Sequence, residues 1–80
     1  MMHQNKATKK LGIESWEHVT KFSFRHKRTK RIEFIDIIFD KIEKTYYVFH
    51  GLKLIGRRSL KQGEFSAESL AKNYIRKVEG

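Results

Sequence analysis

Two β-prone runs on either side of a short basic segment constrain the fold more than any other feature of this chain. Residues 19–25 alternate, with Thr20, Phe22 and Phe24 on one face, and this pattern predicts a half-buried strand. Residues 32–39 are rich in isoleucine and phenylalanine and predict a second strand. The segment between them therefore forms the turn of an antiparallel hairpin. Because it contains no glycine or asparagine, we expect a loop longer than two residues.

The second run does not alternate cleanly. Asp36 falls on the same face as Ile32, Phe34 and Ile38, where an apolar residue is expected. We therefore predict either a bulge that shifts the register or a strand that ends near Asp36.

Residues 40–56 carry signals for two different structures. Asp40 followed by Glu43 has the form of a helix start. Apolar residues then recur at helical spacing, at Ile42, Tyr46, Phe49 and Leu52. The quartet at 46–49, Tyr-Tyr-Val-Phe, favours a strand that pairs with the second run instead. We expect the helix, ended by Gly56.

The last part of the chain predicts an amphipathic helix over residues 67–78. Ser66 is placed to cap its first turn, and Phe65 and Leu70 have the spacing of a hydrophobic staple. Its apolar stripe comprises Ala67, Leu70, Ala71, Tyr74, Ile75 and Val78. Acidic residues come early in this segment and basic residues late, as the helix dipole favours.

Together these elements predict an α+β fold, an antiparallel β-hairpin packed with two helices. The alternative is a three-stranded antiparallel sheet plus one C-terminal helix. Eighty residues are enough for a single small domain. We expect that domain to span residues 11–80 and residues 1–10 to be a flexible basic arm.

The formal net charge of +9 is distributed unevenly along the chain. Residues 1–31 carry nine cationic and two acidic residues, whereas residues 32–56 carry three and four. Five of the seven residues at 25–31 are permanently cationic, and four of them lie between the two predicted strands of the hairpin. Such a concentration of positive charge indicates a polyanionic partner, most commonly nucleic acid.

We therefore expect a non-catalytic nucleic-acid-binding protein that acts mainly through phosphate contacts, with DNA favoured over RNA. The hairpin contributes Arg25, Lys27, Arg28, Lys30 and Arg31 to the candidate site. A second doublet and the polar face of the last helix add Arg57, Arg58, Lys72 and Arg76. Arginine suits this role because its planar guanidinium group binds phosphates and guanine edges in bidentate fashion.

A junction near the C-terminus resembles part of a known DNA-binding family. Residues 62–71, Gln-Gly-Glu-Phe-Ser-Ala-Glu-Ser-Leu-Ala, with Tyr74 after them, resemble the last strand-to-helix junction of the plant ethylene-response-factor domain and the arm-binding domain of tyrosine integrases. The resemblance implies three antiparallel strands packed on one C-terminal helix, with the strands in the major groove. It places Arg25, Lys27, Arg28 and Arg31 on the DNA-facing sheet. The family's glycine-valine-arginine opening and arginine-tryptophan strand positions have no counterpart here.

The sequence offers little for catalysis. There is no cysteine, and none of the four histidines, His3, His18, His26 and His50, is spaced with another histidine or an acid in a metal-binding pattern. Gly51, Gly56 and Gly63 are isolated from one another, so the sequence has no glycine-rich phosphate-binding loop. We expect no enzyme activity, no cofactor and no metal. We also expect a cytoplasmic protein, without a secretory signal or a membrane partner.

Two other readings of the partner stay open. A basic hairpin also suits a small inhibitor or adaptor that docks an acidic protein surface. The many large apolar residues between 32 and 55 also suit a homodimer, because a small monomer buries only a modest core.

Overall fold

The computed structural model describes residues 6–79, which form a four-stranded antiparallel sheet with one long helix packed on one face. In chain order the elements are α1 (Lys6–Leu11), β1 (Trp16–Arg25), β2 (Ile32–Asp40), β3 (Thr45–His50), β4 (Lys53–Ser59) and α2 (Glu64–Glu79). The strand order is β1-β2-β3-β4, so each strand pairs with the next through a hairpin. The α+β class is confirmed. The alternative architecture is closer than the two-helix one, with one strand more than it predicted.

The sheet has a helix face, against which α2 packs, and an open face on the other side. The main core fills the helix face and consists of Phe24, Ile35, Ile37, Val48, Ala67 and Ala71. A smaller cluster lies on the open face, where Ile13 and Trp16 cover Ile38 and Phe49. Apolar side chains are therefore needed on both faces of the central strands.

Burial on both faces explains the imperfect alternation of β2. Ile37 and Ile38 point to opposite faces, yet both are fully buried. The strand does not end near Asp36 but continues to Asp40, and the irregular pairing lies in β1, between His18 and Thr20. Asp36 occupies the open face, where its carboxylate oxygen is 3.0 Å from Nε2 of His18.

The prediction of a helix over residues 40–56 is wrong, because this segment contains the end of β2, all of β3, the first part of β4 and the two turns between these strands. The Asp40 carboxylate does accept hydrogen bonds from the backbone amides that follow it, those of Ile42 and Glu43, at 2.9 and 3.1 Å. It closes a turn instead of starting a helix, and Lys44 then adopts a positive φ of 53°. The tyrosine-valine-phenylalanine quartet next to it becomes strand, as its propensity favours.

A tight turn that begins with a glycine joins β3 to β4, and the sequence analysis did not predict it. His50 pairs with Lys53, so only two residues form the loop, and the first of them is Gly51 with a φ of 63°. Glycine at the first central position is typical of the type II′ turns that suit right-twisted hairpins. The two strands that meet at this turn have apolar residues on both faces of the sheet. The apolar residues of segment 40–56 therefore recur at intervals close to those of an amphipathic helix.

The C-terminal helix is confirmed, but its start differs from the prediction. α2 begins at Glu64, directly after Gly63, which has a φ of 86°. Ser66 is therefore inside the helix and not its cap. Phe65 is 84% exposed, so the predicted hydrophobic staple is absent. The predicted apolar stripe does pack on the sheet, through Ala67, Leu70, Ala71, Tyr74, Ile75 and Val78.

The predicted basic arm is described only in its second half. Residues 1–5 lie outside the described residues. Lys6–Leu11 form α1, in which Thr8 is buried. The amide of Ile13 donates to the carbonyl of Thr8 at 2.9 Å, which joins α1 to the linker that covers the open-face cluster.

We expect Gly56→Ala to destabilise the protein by about 1–3 kcal/mol, the usual cost of overpacking. Gly56 lies in β4 under α2, and an added Cβ would come within 2.5 Å of Leu70 Cδ1. Urea denaturation measures the loss. In a Leu70→Ala background the obstructing atoms are gone, so the same substitution should cost much less. Equal costs in both backgrounds would show that the contact between Gly56 and Leu70 is not the cause.

Candidate nucleic-acid interface

The loop between β1 and β2 has a defined backbone conformation. The amide of His26 donates to the carbonyl of Arg31 at 2.9 Å, and the amide of Lys30 donates to the carbonyl of His26 at 2.8 Å. Lys30 has a positive φ of 63°, and its carbonyl accepts a hydrogen bond from Nη1 of Arg25 at 2.8 Å. The six-residue loop is thus closed by its own backbone, in agreement with the predicted long turn. We call residues 26–31 the basic tip.

A hydrogen bond fastens the basic tip to the end of α2. The amide of Lys27 donates to the carbonyl of Val78 at 2.8 Å. This carbonyl belongs to the last turn, where helix carbonyls lack partners within the helix. The last turn also carries Arg76 and Lys77, both exposed. The fold therefore brings cations of the tip and of α2 together, although some 50 residues separate them in the chain.

The converged cations have no carboxylate partner within residues 6–79. In this part of the chain, carboxylates lie within 4.0 Å of a basic group in three pairs, which join His18 to Asp36, Lys41 to Glu17 and His50 to Glu33, and each histidine pair is an ion pair only when its ring is protonated. In the tip and the last turn of α2, six exposed cationic side chains lie outside these pairs, namely Lys27, Arg28, Lys30, Arg31, Arg76 and Lys77. We call these six residues the basic surface.

A network of hydrogen bonds and ring contacts, which the sequence analysis did not predict, connects the basic tip to the sheet and to α2. Nδ1 of His50 is 2.8 Å from the hydroxyl of Tyr74, and Nε2 of His50 is hydrogen-bonded to the carboxylate of Glu33. The other oxygen of that carboxylate accepts a hydrogen bond from the Thr29 hydroxyl at 3.0 Å. The His26 ring stacks on that of His50, with centroids 6.0 Å apart. The network connects β2, β3, α2 and the tip.

Sequence spacing contained no signal for this network. The sequence shows only that His26 and His50 lack a metal-binding spacing, whereas in the fold both are partly buried and their rings are in contact. Glu33 and His50 become neighbours only through the register that pairs Ile35 with His50. Both ring nitrogens of His50 are engaged, so the network favours a structural role. Among the described residues, no group of three or more histidine or acidic residues is arranged to hold a metal ion.

The network shifts the pKa values of two of its members in opposite directions. Hydrogen bonds from His50 and then Thr29 hold the pKa of Glu33 below its ordinary value of 4.5. Burial, followed by the charge of Glu33, raises the pKa of Tyr74 above its ordinary value of 10.0. Glu33 therefore stays a carboxylate at neutral pH, and Tyr74 stays a neutral phenol.

The other predicted site residues lie away from the tip. The ammonium group of Lys72 is 5.8 Å from the Phe22 ring centroid, which places it on the β1 side of α2. Arg58 pairs across the sheet with Tyr46, which pairs with Phe39. Phe39 is seven residues along β2 from Ile32, where the tip ends, which corresponds to about 23 Å. Arg57 and Arg58 therefore do not join the basic surface.

Arg57 and Arg58 have other surroundings. Nε of Arg58 donates to the Ser66 hydroxyl at 3.1 Å, which ties β4 to the first turns of α2. Arg57 lines a hollow of about 630 Å³ on this end of the molecule. Glu14, Asp40 and Glu43 line it as well, so the hollow has mixed charge and does not extend the basic surface.

No family model, no curated protein and no solved structure matches this chain. The resemblance to the ethylene-response-factor and tyrosine-integrase domains stays a prediction. Within residues 6–79, no helix is long and apolar enough to cross a membrane.

The lowered pKa of Glu33 predicts a pH-dependent stability. A carboxyl whose pKa is lower in the folded than in the unfolded state stabilises the fold above its unfolded pKa, here about 4.5. This contribution is lost as the pH falls through the lowered folded value. Urea denaturation from neutral pH downward should show a steeper loss of stability in the wild type than in Glu33→Gln.

The control for this prediction is Glu43→Gln, which removes an exposed carboxylate from the turn between β2 and β3. We expect it to keep the wild-type acid profile. An identical profile in Glu33→Gln and wild type would contradict the assignment of the acid sensitivity to Glu33.

Proposed function

We propose that this protein is a non-catalytic nucleic-acid-binding protein whose basic surface contacts phosphates. The observation that carries the proposal is the hydrogen bond from the Lys27 amide to the Val78 carbonyl, because it joins the cations of the tip to those of α2. A polyanion that neutralises these side chains displaces no carboxylate partner from within residues 6–79. Binding therefore gains from counterion release without breaking ion pairs of the protein.

The arrangement also lowers the entropic cost of binding. The tip backbone is closed by its own hydrogen bonds and held against α2, so it needs little ordering when a ligand binds. Lysine and arginine side chains still lose rotamer freedom, but the positions of their Cα atoms are set in advance. DNA stays the favoured ligand over RNA, and a cytoplasmic location stays part of the proposal.

Binding should depend steeply on salt. Six phosphate contacts, one for each member of the basic surface, predict a slope of log K against log salt near −5 for a duplex. Affinity should then fall by about 10³ between 50 mM and 200 mM salt. Fluorescence anisotropy with a labelled oligonucleotide measures both quantities. Binding that does not change with salt, or no binding to any nucleic acid, contradicts the proposal.

Two triple variants with the same net charge locate the interface. The tip variant replaces Lys27, Arg28 and Arg31 with alanine, and the far-end variant does the same at Lys41, Arg57 and Lys61. Both variants lose three exposed cations, but only the tip variant loses them from the basic surface. We expect the tip variant to lower the magnitude of the salt slope by about 0.9 per lost contact, and the far-end variant to keep the wild-type slope.

Equal losses in the two variants would show that net charge, and not the basic surface, determines binding. An acidic protein partner is distinguished by a pull-down after nuclease treatment. One stoichiometric protein that survives this treatment, together with no affinity for oligonucleotides, favours the adaptor over the nucleic-acid-binding protein.

A further inference from the structure

An exposed aromatic ring lies beside the basic tip on the open face. Phe34 is 45% exposed, although phenylalanine is usually buried in a small domain. Its cross-strand partner is Ser23, which is too small to cover the ring. The pairing of β2 with β3 ends at Ile35 and His50, so no β3 strand residue is opposite Phe34. The fold therefore leaves the ring open to solvent.

Two cationic residues, Lys21 and Arg25, share the open face with this ring. The ammonium group of Lys21 is 5.0 Å from the ring centroid. Lys21, Ser23 and Arg25 share the open face, because they alternate with the buried positions of β1. Arg25 pairs with Ile32, one open-face row nearer the tip, and Ile32 is itself 52% exposed. Successive residue pairs on one face of a sheet are about 7 Å apart. Only the row of Arg25 and Ile32 therefore separates the Phe34 ring from the basic tip.

The other side of the ring is bounded by an acid. Asp36 pairs with Lys21 in the next open-face row, and its carboxylate is bonded to His18. A negative group there repels phosphate, so a bound strand is directed from Phe34 toward Arg25 and the tip. The Phe34 ring, Arg25 and the basic tip thus follow one another along the open face.

We propose that Phe34 is a stacking platform for an unpaired base, and that the preferred ligand is single-stranded nucleic acid. This inference rests on the proposed function. A base that stacks on Phe34 takes the place of the Lys21 ammonium group over the ring and places its phosphates toward Arg25, and the strand continues over the basic tip. Stacking on aromatic side chains stabilises single strands more than the exposed cation–π contact that it displaces. The bases of a duplex are already stacked and do not offer a free ring face.

The test compares one oligonucleotide as a single strand and as a duplex, by fluorescence anisotropy at 50 mM salt. We expect the wild type to bind the single strand more tightly. Phe34→Ala should weaken single-strand binding by about five- to a hundredfold and leave duplex binding unchanged. Phe34→Tyr keeps an aromatic ring and should retain single-strand affinity.

The matched control is Phe65→Ala, which removes a phenylalanine that is 84% exposed in the first turn of α2. We expect it to bind both ligands like the wild type. Unchanged duplex binding by Phe34→Ala also shows that this variant is folded.

The outcomes separate this inference from the proposed function. Tighter binding of the duplex, or unchanged single-strand affinity in Phe34→Ala, overturns the stacking platform while the basic surface stands. If the wild type binds neither ligand, the proposed function fails and the platform fails with it.

Discussion

The hydrogen bond between the Lys27 amide and the Val78 carbonyl is the contact on which the candidate interface depends. Without it, the basic tip is a hairpin loop and the last turn of α2 is a separate helix end. The Glu33–His50–Tyr74 network reinforces the same connection from the interior side. Together they convert two charged segments into one surface.

This connection has an electrostatic cost, which the fold reduces. Bringing like charges together destabilises a compact state. The negative end of the α2 dipole lies at the junction and favours cations there. Glu33 adds a full negative charge beneath the tip, held ionised by its hydrogen bonds. The charge of the surface is thus stabilised from inside, where it does not block a ligand.

The four-stranded sheet also changes the basis for the homodimer hypothesis. That hypothesis depended on the large apolar residues between 32 and 55. The structure buries five of them within the monomer, namely Ile35, Ile37, Ile38, Val48 and Phe49. The exposed ones include Ile32 and Phe34 near the tip, and Leu52 and Leu54 at the β3–β4 turn. The oligomeric state stays a prediction, which light scattering tests.

Local patterns predicted the first hairpin and α2, because alternation and helical periodicity are properties of short segments. They failed at residues 40–56, where strands covered on both faces give an apolar spacing that resembles a helix. They also missed the Glu33–His50–Tyr74 network and the setting of Phe34. These depend on strand register, and register is decided by pairing between distant residues. Strand pairing also places Arg57 and Arg58 far from the tip, so their position could not be predicted from local patterns.

If the tip and the end of α2 form one preformed binding surface, both should respond to a ligand together. This can be measured by titrating the ¹⁵N-labelled protein with a single-stranded oligonucleotide and following the amide chemical shifts. We expect the Lys27 amide to be protected from exchange before ligand is added, and the shifts of residues 26–31 and of the last turn of α2 to change and saturate together. A rapidly exchanging Lys27 amide, or shift changes centred on Arg57 and the hollow beside it, would show that no such preformed surface exists.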